Sequence, residues 1–200
     1  MTIALTRREL ISGFLGFTVA ATGTPALAAG SPEDYIKSLT GKVIALANSG
    51  TTGKALRQRF ANLLDSYVNL RSIASFALGP YQKKLPARDK GEFHNLVANY
   101  AAALFSYYVN DFKGKSIEIT DVSAQGNFTT VKSAIVKDGG SRETVRWRLT
   151  KTGNSYRVSD VNIKGVWMTL SMKKRFNDVL NRSKGDFNVL YAELREAETW

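Results

Sequence analysis

Residues 143–176 read "ETVRWRLTKTGNSYRVSDVNIKGVWMTLSMKKRF". From Val145 to Thr150 the alternation is strict: Val145, Trp147 and Leu149 fall on one side, Arg146, Arg148 and Thr150 on the other. Successive strand side chains point to opposite faces, so this segment lays one face on a core and one in water, as in an antiparallel meander. "KTGNS" is a turn signal. Beyond it Tyr156 and Val158 resume the alternation, which then breaks at Asp160, because Val161 and Ile163 carry the apolar pattern on the opposite parity. An aspartate at such a break marks a bulge or binds a nearby backbone amide. After Gly165 the spacing turns helical on Val166, Trp167 and Met168. A tryptophan and a methionine therefore stand where sheet hands over to helix.

Two further strands precede this stretch, "KSIEITDV" and "FTTVKSAIVKD", with "DGGS" (138–141) as the turn into the third. The rest reads as helix. "SPEDYIKSLTGKVIALANSG" opens with Ser31 as N-cap, Pro32 at the first helical position and Glu33 and Asp34 in the first turn. "GKALRQRFANLLDSYV" is amphipathic, and "NLRSIASFALG" is a short helix capped by Asn69 and stopped by Gly79 and Pro80. A longer helix is predicted from Pro86 to about Asn110, apolar over a wide arc. Helices from Val166 and from Asp186 close the chain. The expected class is α+β: a meander of about four antiparallel strands with helices over one face. Where the long helix and the concave sheet fail to interdigitate, the gap is a dry pocket for an apolar ligand.

Residues 1–28 read as a signal peptide, with a basic start, the apolar "ISGFLGFTVAATG" and Ala26 and Ala28 at an A-x-A site. Arg7 and Arg8 suit a twin-arginine signal and equally an ordinary Sec signal. The formal charge is +11, and the leader's Arg7, Arg8 and Glu9 (net +1) leave +10 on residues 29–200, a length suited to one domain. The chain has no cysteine, which excludes disulfides and thiolate metal sites. A basic surface in a cell envelope points to anionic lipid headgroups or acidic proteins. Nucleic acid is disfavoured by the export signal and by the lack of any Lys/Arg run denser than "MKKRF". The one histidine, His94, reads as a partly exposed helix residue rather than a general base. No phosphate loop, dinucleotide fingerprint, nucleophile elbow or metal-ligand spacing occurs. Asp121 and Asp160 are the only imaginable catalytic pair, and bulge aspartates are the simpler reading. No catalytic residue, metal or cofactor is expected.

Two segments carry a family resemblance. "SIASFALGPYQKKLPARDKGEFHNLVANYAAALFSYYVNDFKGKSIEI" holds Leu78, Gly79, Tyr81, Lys83, Phe93, Tyr100 and Tyr108, and "YRVSDVNIKGVWMTLSMKKRFNDVL" holds Asp160, Val161, Ile163, Gly165, Val166, Arg175 and Phe176. In order and spacing, with the closing "GDFNVLYAEL", they resemble the MlaC (toluene-tolerance) family of periplasmic lipid-binding proteins across essentially all of residues 29–200. The chain departs from the pattern at Gln82, where the family has tryptophan, and at Trp167, where it has serine.

The resemblance implies a soluble carrier of phospholipid. It would exchange cargo with an outer-membrane lipoprotein complex and an inner-membrane ABC transporter bearing an MCE-type subunit, and so contribute to outer-membrane lipid asymmetry. With the bulky side chains placed as above, the expected lining comprises Phe76, Leu78 and Tyr81 around the short helix and Phe93, Val97, Tyr100, Leu104 and Tyr108 on the long one. Val145, Trp147, Val158, Val161 and Ile163 come from the strands. Val166, Trp167 and Leu170 form the lip, with Trp167 as a gate. Lys83, Lys84, Lys173, Lys174 and Arg175 are expected at headgroup or partner contacts. The bulk of Trp167 suggests an alternative cargo, a hopanoid or other polycyclic lipid as in the HpnM-type branch. A small hydrolase using Asp121 or Asp160, and an envelope adaptor with a filled core, are the other readings.

Overall fold

Turn glycines and two bulges shape the sheet. The computed structural model describes residues 30–113, 116–136 and 140–199; the expected leader and part of the 138–141 turn lie outside them. Strands β1 (Ser116–Gln125), β2 (Phe128–Val136), β3 (Arg142–Thr152), β4 (Ser155–Ile163) and β5 (Val166–Trp167) lie side by side in chain order, each antiparallel to the next. Gly126 and Gly153, both at φ 57°, open the two-residue loops joining β1 to β2 and β3 to β4, as type II′ hairpins require. Between Ile163 and Val166 both loop residues are left-handed, Lys164 at φ 52° and Gly165 at φ 85°, the type I′ condition. This turn folds Val166 and Trp167 back onto Ile163 and Asn162 as a fifth strand. The helix predicted from Val166 therefore begins two residues later.

The parity break at Asp160 is a bulge. Leu149 pairs with Val158 and Arg148 with Asp160, leaving Ser159 as the extra residue. A second bulge lies in β1, where Ile119 and Asp121 pair with consecutive β2 residues and Thr120 is extra. Each bulge returns the apolar residues to one face, so Val158, Val161 and Ile163 share the inner surface with Ile119, Val122, Val131, Val145, Trp147 and Leu149.

The helices are α1 (Pro32–Asn48), α2 (Gly53–Tyr67), α3 (Leu70–Leu78), α4 (Lys90–Tyr107), α5 (Met168–Arg182) and α6 (Phe187–Glu196). Local caps set several starts. Ser31 Oγ accepts from Asp34 N at 3.1 Å, Asn69 Oδ1 from Ser72 N at 3.2 Å, and Asp186 Oδ1 from Asn188 N at 2.9 Å. The predicted long helix tightens at both ends into 3-10 turns, Ala87–Asp89 and Val109–Phe112, leaving α4 as its centre.

The apolar side chains gather into three packed clusters. Ile36 and Leu39 of α1 press on Val131, Leu149 and Val158 of the sheet. Phe60 of α2 stacks on Phe105 of α4 at 3.8 Å, beside Leu56 and Ala47. The largest cluster is purely helical and joins α3, α4, α5 and α6 through Leu78, Phe93, Tyr100, Phe176, Leu180 and Leu190. Phe176 meets Phe93 and Tyr100 edge-on, with centroids 6.1 and 6.3 Å apart. The main partners of α4 are α2, α3 and α6, with no strand among them, so the helical layer and the sheet keep separate cores. The end of α2 is pinned to the free side of β4. Asn69 N donates to Val158 O at 2.8 Å, and the Arg157 guanidinium donates to Asp65 O and Ser66 O, where cations favour a helix C-terminus.

Candidate functional site

Register divides the inner face into two halves. The rows near the Gly126 and Gly153 loops, with Leu149 and Val158, are packed under α1. Toward the Lys164–Gly165 turn lie Ile135, Val145 and Ile163. Ile135 and Val145 are buried, yet belong to none of the three clusters. Trp147 and Val161 form the half-buried row between the two halves. The indole needs a partner where it is covered, and Trp147 Nε1 donates to Ser133 Oγ at 2.9 Å; Ser133 in turn donates to Val145 O at 3.3 Å. Ser133 escaped the sequence reading, because a single serine in an apolar strand carries no signal until its cross-strand neighbour is known. This patch is the candidate apolar site.

The predicted lining residues divide accordingly. Leu78, Phe93, Val97 and Tyr100 are buried in the helical cluster, with Tyr81 and Leu104 against it. Tyr81 donates its hydroxyl to Asn181 Oδ1 at 2.7 Å, joining the 3-10 turn Gly79–Lys84 to α5. Val158 is packed beneath α1, whereas Val145, Trp147, Val161 and Ile163 form the patch just described. Phe76, Tyr108, Val166 and Leu170 are exposed.

The expectation for Trp167 is corrected. It pairs with Asn162, and Asn162 lies on the face opposite Val161 and Ile163. Trp167 therefore sits on the outer face of the sheet, where the Arg148 guanidinium stacks 4.2 Å from its ring and 5.4 Å from that of Phe128. It is no gate on the inner lip.

Beneath this stack Asp160 is buried with its carboxylate fully engaged. Oδ1 accepts from Val161 N at 2.9 Å and Thr169 N at 3.0 Å, Oδ2 accepts from Thr169 Oγ1 at 2.6 Å, and Arg148 Nη1 stands 3.8 Å away. Trp167 occupies the N-cap position of α5 without a capping side chain, so Asp160 caps that helix from the neighbouring strand. Asp121 pairs with Lys132 in β1, three strands away, roughly 14 Å at the usual strand spacing. The two aspartates form no catalytic pair. Burial, then Arg71 and Lys90, hold the His94 imidazole below its ordinary pKa. Among the described residues no cluster of three His, Asp or Glu side chains is placed to hold a metal ion.

The predicted cations also separate. Lys174 pairs with Asp178 at 2.7 Å and Arg175 with Glu193 at 2.9 Å, along a polar hollow of about 380 Å³ between α5 and α6. Lys173 lies over the Phe76 ring at 4.8 Å and Lys84 over Tyr81 at 5.2 Å.

Residues 37–196 match the family described as MlaC protein. The chain belongs to that family. Every candidate position lies inside the MlaC match. Among solved structures, the phospholipid-binding protein from Ralstonia solanacearum, determined in complex with a phospholipid, superposes with a TM-score of 0.70 at 16% identity, covering 86% of this chain and 97% of that one. Comparison with curated proteins gives no match.

Proposed function

We propose that this MlaC-family protein is a non-catalytic periplasmic lipid carrier, holding a phospholipid by its acyl chains between the helical layer and the inner face of the sheet. The observation that carries the reading is the apolar patch around Ile135 and Val145, which are buried yet belong to none of the three packed clusters. Half-buried Ile163 lies beside them, and Trp147 and Val161 border the cluster under α1. A related fold that holds a phospholipid in Ralstonia supports it. Sequestering one CH₂ is worth roughly 0.8 kcal/mol, so a 16-carbon chain gains on the order of 12 kcal/mol in a dry site. A bilayer offers a similar gain, so carrier and membrane exchange cargo near balance. Direction then comes from an ATP-driven partner. An inner-membrane ABC transporter with an MCE-type subunit and an outer-membrane lipoprotein complex are the proposed partners, with lipid asymmetry as the outcome. With Trp167 on the outer face, its bulk gives no reason to favour a polycyclic cargo.

Organic extraction of the purified protein, with native mass spectrometry of the intact complex, tests this. Phospholipid masses are expected. Triterpenoid masses, or protein that never carries lipid, would overturn it.

A further inference from the structure

One corner of the surface has an unusual composition. From residue 66 to residue 88 the chain has no carboxylate but carries Arg71, Lys83, Lys84 and Arg88; residues 168–177 likewise have none and carry Lys173, Lys174 and Arg175. Asp89, Asp178 and Glu193 engage Arg88, Lys174 and Arg175. Among the described residues no carboxylate pairs with Arg71, Lys83 or Lys173.

These segments meet. Lys173 lies over Phe76, Asn177 Nδ2 donates to Ala77 O at 2.9 Å, and Gly79 at φ 55° lets α5 approach, since a Cβ there would sit 3.0 Å from Lys173 Cε. Arg71, Ser72, Ser75, Phe76 and Gln82 line a shallow hollow of about 480 Å³ on the same corner. Two large apolar side chains stand out from it: Phe76, 45% exposed, and Leu170, 53% exposed and one turn before Lys173 on α5.

We propose that this corner, where α3, the turn Gly79–Lys84 and the first half of α5 meet, is a docking surface for an anionic lipid bilayer. Arg71, Lys83 and Lys173 face the phosphates, and Phe76 and Leu170 enter the acyl boundary. The inference deepens the carrier reading, on which it rests for its purpose. A basic patch alone would also suit an acidic protein. The bilayer is selected by Phe76 and Leu170, which protrude beside cations without carboxylate partners, the composition that suits an anionic lipid interface.

Co-sedimentation with vesicles of phosphatidylethanolamine and phosphatidylglycerol, against vesicles of phosphatidylcholine, tests the proposal. The protein is expected to pellet with the anionic vesicles alone and to release at high salt, where screening shortens to a few Å. Each cation reversed or removed costs roughly fivefold in partitioning, so Arg71→Glu with Lys83→Glu and Lys173→Glu should abolish pelleting while the melting curve stays cooperative. Phe76→Ser, with all cations kept, should weaken pelleting on its own. No pelleting of wild type with anionic vesicles, or equal pelleting of the folded triple variant, would overturn the proposal, and capture by an acidic protein without vesicle binding would do so too. The lipid content of the same preparations reports separately on the carrier reading, so the two can fail independently.

Discussion

Asp160 illustrates how a single buried charge is tolerated. Its three accepted hydrogen bonds and the nearby Arg148 replace the water it loses, and two of those bonds satisfy the start of α5. Asp160→Asn keeps the shape but sets an amide donor against groups that need acceptors. It should cost about 2 kcal/mol and lower Tm by about 4–8 °C in a thermal melt. Thr169→Val disrupts the same network, so the double variant should lose clearly less than the sum of the singles. Tyr35 sets an alkaline limit. Its hydroxyl donates to Tyr67 O at 2.8 Å, and burial, opposed by Arg157, pushes its pKa up to about 12. The unfolded phenol titrates near 10, so the fold favours the protonated form. That contribution is full below about pH 10 and disappears as pH rises through about 12. Urea midpoints should therefore fall over this range, and fall less steeply in Tyr35→Phe, which starts from a lower stability at neutral pH.

Among the elements, glycines with opposite roles give the sharper test. Gly79 ends α3 at φ 55° and ψ −125°, and a Cβ there would meet both Asn177 Oδ1 and Lys173 Cε at 3.0 Å. Gly79→Ala should destabilise by about 1–3 kcal/mol. Gly41 lies within α1 with nothing near its missing side chain, and Gly41→Ala should stabilise by about 0.5–1 kcal/mol. Thermal melts of the pair should move in opposite directions. Local chemistry also explains which boundaries could be read in the chain. Ser31 and Asn69 cap as predicted, and Asp186, expected as the start of the last helix, caps it, because a cap needs only a short polar side chain and its own following amides. The start of α5 could not be read this way. It depends on Lys164 adopting a left-handed conformation that no lysine announces, and on a cap supplied by Asp160 from another strand.

At the scale of the molecule, the bulges were visible and their consequences were not. The parity change at Asp160 foretold the slip, but the face that Trp167 occupies follows only from adding the β4 bulge to the Lys164–Gly165 turn and the β5 pairing. Similarly, apolar spacing along α4 established that it is buried without saying against what, and its partners proved to be helices. The candidate site is thus the half of the sheet around Ile135 and Val145, beyond the α1 cluster that Trp147 and Val161 border, a property of packing that periodicity cannot express. This distinction yields the decisive comparison. Leu149 is fully buried under α1, so Leu149→Asp strands a charge in packed core, costs about 4 kcal/mol or more and should abolish the cooperative melt. Val161 is half-buried at the edge of the cluster under α1, on the row next to Val145 and Ile163. Val161→Asp should melt cooperatively within a few degrees of wild type, yet release phospholipid on extraction, because its charge sits where acyl chains would lie. If Val161→Asp instead unfolds as Leu149→Asp does, the space between helices and sheet is ordinary core and the carrier has no hold.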